Sequence, residues 1–171
     1  MNLKKNVSLG TYFNNRTGLL NLGYNFVKHG SDLTVRVLVS MIPVREEMKS
    51  ARPGDTGVYD PDSKLIFAIS ETELSAFVVF LKQHLFKSGI EWEYKFPGHF
   101  SEDKSKVSNL SVKKNPKYSN TMWMLYSNKK FPEGKTVSCA VSENDMYALY
   151  FNLNSLLENL SVIKLLAVND E

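Results

Sequence analysis

The sequence predicts an α+β fold of two tandem repeats, each with four strands and then a helix, forming antiparallel sheets packed on helices. One segment occurs twice, each copy opens with a helix N-cap, and strand-like alternation precedes each copy. With 171 residues, 43% of them apolar, the chain can bury a core without disulfides or metals. We expect a single domain over 1–171, with repeats at about 8–88 and 89–160 and a short acidic tail at 161–171.

The repeat is clearest where residues 68–85 align without gaps to residues 140–157, with six of eighteen positions identical. Ser70 and Ser142 stand at the N-cap positions, and an acidic residue follows three positions later in each copy, as in a capping box. Apolar residues then recur at i, i+3, i+4, i+7 and i+11. They are Leu74, Phe77, Val78, Leu81 and Leu85 in the first copy, and Met146, Leu149, Tyr150, Leu153 and Leu157 in the second. Two amphipathic helices with matching buried faces are predicted.

Strand-type sequence precedes each helix. Residues 33–39 alternate, with Leu33, Val35, Val37 and Val39 on one face and Thr34, Arg36 and Leu38 on the other. Further strands are expected at 19–26 and 64–69 in the first repeat, with a long loop at 45–60, and at 90–96, 107–114, 121–128 and 136–141 in the second.

Positive charge is concentrated in two windows, although the net charge is only +3. Residues 1–40 hold five Lys/Arg against one Asp, and residues 101–140 hold eight Lys against three acidic residues. The other segments are all net negative. Because both basic windows consist largely of predicted strands, a polyanion would bind on the strands and not on the helices.

The basic strands also contain aromatic residues, and a sequence-tolerant single-strand binder needs both cations for phosphates and rings for stacking. The candidate nucleic-acid-binding residues are Tyr12, Arg16, Tyr24, Lys28, Arg36, Trp92, Tyr94, Lys113, Lys114, Trp123, Tyr126 and Lys129. Two alternatives stay open. The aromatic residues could be core residues, as aromatics in strands usually are, and the lysines could simply be solvated on the surface.

Phe67-Ala68-Ile69-Ser70-Glu71-Thr72-Glu73 resembles the segment that opens the first helix of the Whirly family, and 107–114 followed by 137–157 falls in the corresponding late position. The resemblance spans about 10–160 and extends, more distantly, to PC4-like proteins. The resemblance implies that single-stranded DNA or RNA binds across the sheets. It also implies a homo-oligomer, specifically a tetramer, with the helices at its centre. Arg16-Thr17-Gly18-Leu19-Leu20 stands where plant Whirly proteins have Lys-Gly-Lys-Ala-Ala-Leu, which puts any larger assembly in doubt.

We therefore expect a single-stranded DNA-binding protein, largely independent of sequence, that acts in DNA replication, recombination or repair. The alternatives are an RNA-binding or annealing protein of the same fold and a structural or interaction module that binds no nucleic acid. No cofactor, metal or membrane partner is expected, and no catalytic site, because the three His are far apart and Cys139 resembles a buried small hydrophobe. We expect a cytoplasmic, non-secreted protein, in the host cytoplasm if its origin is a phage.

Overall fold

The computed structural model describes residues 7–14, 16–30, 32–50, 52, 55–87, 91–100, 107–114, 121–128 and 135–169. For residues 121–128 it describes the backbone only. The elements are β1 (Val7–Asn14), β2 (Gly18–His29), β3 (Asp32–Pro43), β4 (Leu65–Ile69), α1 (Glu71–His84), β5 (Glu93–Lys95), β6 (His99–Phe100), β7 (Val107–Lys114), β8 (Thr121–Asn128), β9 (Lys135–Ser142), α2 (Glu143–Glu158) and α3 (Leu160–Asn169).

The strands form two antiparallel sheets, one from each repeat. Sheet 1 has the order β1-β2-β3-β4, and sheet 2 has the order β5-β7-β8-β9 with β6 also paired to β7. The predicted α+β class and the order of strands before each helix are confirmed. The second repeat has one strand more than predicted, because Pro97 has no N–H to donate and divides the edge of sheet 2 into two short strands.

The two predicted helices begin where their caps place them. Ser70 and Ser142 each accept a hydrogen bond from the backbone three residues on, and only Ser70 completes a full capping box. Every predicted core residue of the first helix is buried. In α2 the buried face ends on Leu156, and Leu157 is only partly buried against the core.

Sheet 1 has one face toward the core and one face outward. The cross-strand partners Leu22 and Val39, and Leu20 and Met41, lie on the core face and are at most 2% exposed. The predicted alternation of β3 is confirmed at its buried positions, because Val35, Val37 and Val39 are each 1% exposed. The opposite side, which we call the outer face, carries among others Thr11, Phe13, Leu19, Asn21, Asn25, Asp32, Thr34, Arg36, Leu38, Ser40, Ile42 and Ile66.

The two repeats share one hydrophobic cluster. The ring of Phe77 in α1 lies 4.9 Å from that of Phe96 beside sheet 2. The β1–β2 turn of sheet 1 also contacts β9 of sheet 2, where the Ala140 backbone N–H donates to Thr17 Oγ1 at 2.9 Å. A side chain at Gly18 would place its Cβ 2.8 Å from the carbonyl oxygen of Ile42, so this close approach requires glycine.

The segment 161–171, predicted as a tail, is instead helical to Asn169. The two acidic residues at the end suggest a solvated tail, but most residues of α3 are apolar, and Ala167 is buried. Lys164 Nζ lies 2.7 Å from Glu71 Oε1, which also accepts from the backbone N–H of Val35 at 2.6 Å. This bridge ties α3 to both α1 and β3.

Glu73 provides a pH-dependent contribution to stability at the start of α1. Burial raises the pKa of this carboxyl, but hydrogen bonds with His99 (2.8 Å) and Ser70 outweigh it, so the pKa lies below its ordinary value of 4.5. A lowered folded-state pKa means that the stabilisation is complete above pH 4.5 and is lost as the pH falls through the lowered value.

We therefore expect Glu73→Gln to lower the free energy of unfolding by about 1 kcal/mol at neutral pH. The variant should also lose less stability than the parent below pH 4.5. Urea unfolding at a series of pH values measures both effects. Glu93→Gln is the matched control, because among the described residues Glu93 forms a single, exposed ion pair, with Lys95 at 3.5 Å. Parallel pH profiles for parent and Glu73→Gln would contradict the prediction.

Candidate nucleic-acid interface

The outer face of sheet 1 consists of cross-strand rows about 7 Å apart. One row pairs Phe13 with Leu19 and Ile42, and the next pairs Asn21 with Ser40. No residue of this face between the row of Phe13 and the row of Arg36 carries a carboxylate, and Asp32 lies on the same face two rows beyond Arg36. A stretch without negative charge suits the approach of a polyanion.

An aromatic pair lies at one end of this face. Phe13 is 67% exposed, and its ring centroid is 6.2 Å from that of Tyr59. Tyr59 is held by an isolated bridge to Val44 and by a hydrogen bond from Arg45 Nε to its carbonyl oxygen at 3.1 Å. Burial raises the pKa of the Tyr59 hydroxyl, which is therefore neutral at physiological pH. The pair offers an apolar surface of the kind on which bases stack.

Two arginines on or beside the outer face have no ion-pair partner among the described residues: Arg16 and Arg36. Arg16 lies in the β1–β2 turn, where Asn14 Oδ1 accepts hydrogen bonds from the backbone N–H groups of Arg16 (3.0 Å) and Thr17 (3.1 Å). This turn places Arg16 near Phe13. Arg36 lies at the other end of the face, opposite Asn25. The sequence predicts both arginines as binding residues, and both are exposed.

Tyr12 and Tyr24, also predicted to bind, lie on the core face. Tyr12 is paired with buried Leu20, and Tyr24 with buried Val37. Burial raises the pKa of the Tyr12 hydroxyl, which forms a hydrogen bond with Asn152. Both tyrosines are half-buried against the core, so neither offers a ring face on the outer surface of the sheet.

Trp92 requires a correction, because the sequence predicts it on a binding surface and the structure buries it. It is 7% exposed, and its ring meets that of Phe80 edge-on at 5.2 Å. Tyr94 is half-buried on the same side of sheet 2, opposite Val112 and 5.0 Å from Phe80. Alternation predicts that both residues share a face. Because α1 packs on this face, both residues lie on the inner side of sheet 2.

The predicted lysines are dispersed. Lys113 is half-buried in sheet 2 opposite Glu93, and Lys114 donates its backbone N–H to the carbonyl oxygen of Trp92 at 3.0 Å. Lys28 is exposed near the end of β2, on the register of the core face. Lys129 lies outside the described residues.

Trp123 and Tyr126 are placed by backbone register alone. Position 123 lies opposite Lys113 and Ala140, and position 126 lies opposite Leu110 and Val137. Their side chains are outside what the structure describes. Both therefore stay predictions.

Sequence reasoning missed Phe13 and Tyr59. The signal for Phe13 is present in β2, where Leu20, Leu22, Tyr24 and Phe26 alternate with more polar residues and so mark the core face. Pairing β1 across the Asn14 turn then places Tyr12 inside and Phe13 outside. Tyr59 comes from the loop, where no alternation exists to predict its position.

Other kinds of site receive little support in the described part of the chain. The described residues include no group of three or more His, Cys, Asp or Glu placed to hold a metal. Cys139 is 0% exposed, donates to the carbonyl oxygen of Gly18 at 3.1 Å, and has a pKa raised by burial to about 12. Such a thiol is a poor nucleophile. None of the described helices is long and apolar enough to cross a membrane.

Comparison with known proteins gives a structural match. No protein-family model and no curated protein sequence matches the chain. The crystal structure of WHY3 from Arabidopsis thaliana matches with a TM-score of 0.60 at 16% identity, covering 88% of this chain and 86% of that chain. WHY1 from Arabidopsis thaliana matches with a TM-score of 0.60 at 16% identity, covering 89% and 88%. At this identity the likeness concerns the fold, and this chain has a Whirly-like fold.

Proposed function

We propose that this protein binds single-stranded DNA on the outer face of sheet 1 and acts in DNA replication, recombination or repair. The observation that carries the proposal is the Phe13–Tyr59 pair, in which Phe13 is exposed, on a sheet face that has no carboxylate between Phe13 and Arg36. Arg16 lies beside one end of this stretch and Arg36 at the other. Rings supply stacking, and unpaired guanidinium groups supply phosphate contacts. The Whirly-like fold supports the same proposal.

The proposal includes a homotetramer assembled through the helices. Val79 on α1, Phe86 just after α1 and Phe151 on α2 are 52–59% exposed, and the Phe86 ring stacks on Tyr147 at 5.1 Å. Large exposed apolar residues on helices are typical of self-association surfaces. Because these helices pack on the core faces of the sheets, assembly through them would leave the outer face of sheet 1 open to a ligand.

We also propose that the protein is a binding protein and not an enzyme. We further propose that it is located in the cytoplasm, or in the host cytoplasm if it is a phage protein. The unreactive Cys139 supports the first point, and a single unpaired cysteine is typical of a reducing compartment.

The test is fluorescence anisotropy with labelled single-stranded and double-stranded oligonucleotides at several salt concentrations. We expect tighter binding of single strands, with an affinity that falls as salt rises because cations on the protein displace condensed counterions. RNA oligonucleotides of the same sequence test the RNA-binding alternative, which predicts that RNA binds more tightly than DNA. A protein-interaction module predicts no binding of any strand even at low salt, and this result would reject the proposal.

Phe13→Ala should weaken single-strand binding by about 1–3 kcal/mol, the usual contribution of one stacked base. Trp92→Phe is the matched control. Trp92 is buried, so this substitution should leave the affinity for single strands unchanged. Anisotropy measures the affinities, and circular dichroism verifies that both variants are folded. Equal affinities for Phe13→Ala and the parent would remove the aromatic pair from the binding site.

A further inference from the structure

Two polar side-chain atoms on the outer face of sheet 1 are buried without a hydrogen-bond partner among the described residues: Asn25 Oδ1 and Ser40 Oγ. Ser40 is only 7% exposed. Leaving a buried polar atom unpaired destabilises a protein, so each such atom calls for an explanation. The one other unpartnered atom of this kind in the described structure, Trp92 Nε1, lies in the core between α1 and sheet 2.

The strand register places both atoms beside the candidate interface. Ser40 lies opposite Asn21 on β2 and Ile66 on β4, in the row next to that of Phe13. A base stacked on Phe13 would therefore have its edge about one row, or about 7 Å, from Ser40. Asn25 lies opposite Arg36, a cation that could hold a phosphate of the same strand.

The surroundings of Ser40 allow a flat ligand to approach. Its diagonal neighbours include Gly23 and Ala68, which have no side chain or only a methyl group. Ile66, which lies beside Ser40 on the edge strand, is 50% exposed, so a ligand on this face can reach the row of Ser40 from the edge of the sheet. The Thr11 hydroxyl reaches Asn21 Oδ1 only at a long 3.5 Å, so the Asn21 amide also keeps hydrogen-bonding capacity.

We infer that Ser40 and Asn25 hydrogen-bond to the edges of nucleobases laid on the outer face of sheet 1, and that Asn25 favours bases with an exocyclic amino group. The inference rests on the proposed function and adds a base preference to it. Asn25 Oδ1 is an acceptor and so needs a donor. Cytosine and adenine present an exocyclic amino donor where thymine presents a carbonyl acceptor. Binding that tolerates many sequences would therefore still rank them.

The test compares dC and dT oligonucleotides of equal length by anisotropy, since both are pyrimidines and differ at this position. The parent should bind dC about fivefold more tightly, the usual effect of one net hydrogen bond. Asn25→Leu keeps the side-chain size and should abolish the preference without weakening dT binding. Ser40→Ala should reduce the affinity for dC and should not lower stability, because it removes an unpaired buried polar atom.

Ser111→Ala is the matched control, because Ser111 is a half-buried serine in the middle of β7 in sheet 2 and should change neither affinity. Equal binding of dC and dT by the parent, or a preference that survives in both variants, would overturn the inference while leaving the proposed function intact. A parent protein that binds neither strand would reject the proposed function itself. Urea midpoints of the variants identify any that fail to fold, and either variant alone suffices for the comparison.

Discussion

Phe86→Glu combined with Phe151→Glu is expected to convert the proposed tetramer to a monomer. Both side chains are more than half exposed in the single chain, so the charges should be tolerated by the monomer. Burial of the same positions between copies would force unpaired carboxylates into an apolar contact, which is strongly unfavourable. Sedimentation velocity measures the mass of the parent and of the double variant.

The double variant should also lose affinity for long single strands. A tetramer offers several copies of the outer face to one strand, and linked sites raise the overall affinity by about 10²- to 10⁴-fold over a single site. A monomer keeps the site and loses this gain. Short oligonucleotides that span one site should bind the parent and the double variant equally.

Phe13→Glu is the complementary control, because it changes the sheet and not the helices. It should keep the tetramer and lose binding of both short and long strands, since a carboxylate then faces the phosphates. A monomeric parent, or a double variant with the parental mass, would contradict assembly through the helices. The two variant sets therefore separate assembly from binding.

The sequence predicts the helices well because their signals are local. A capping serine, an acidic residue three positions later and a helical apolar period all occur within one segment, and α1 and α2 begin where these signals place them. Helix α3 escapes prediction because its apolar residues follow α2 without a strong break and end in acidic residues. The Glu71–Lys164 bridge, which ties α3 to α1, joins residues far apart in sequence.

The candidate site is harder to predict for a physical reason. Alternation divides a strand into two faces, but which face is buried depends on what packs against it. Trp92 illustrates this, because its face is covered by α1 and its ring lies against Phe80. The outward position of Arg36 is predictable because its strand neighbours Val35 and Val37 are plainly core residues. Phe13 requires in addition the register across the Asn14 turn.

Phe77→Ala is expected to lower the free energy of unfolding by about 3–5 kcal/mol. Phe77 is 1% exposed, and its ring lies 5.2 Å from Tyr94 and 4.9 Å from Phe96. The truncation removes apolar contacts and leaves a cavity between α1 and sheet 2 that rigid strands cannot close. Urea unfolding followed by circular dichroism measures the loss. Gln83→Ala on the exposed side of the same helix is the control and should change stability by less than about 0.5 kcal/mol.

The shape of the unfolding curve tests whether the two repeats form one domain. Phe77 belongs to the first repeat and Tyr94 and Phe96 to the second, so its ring is part of the shared core. If that core makes the repeats interdependent, Phe77→Ala shifts a single transition to lower urea without changing its slope. Two separate transitions in the variant would mean that each repeat is stable alone. The candidate binding face of sheet 1 would then not depend on the second repeat for its fold.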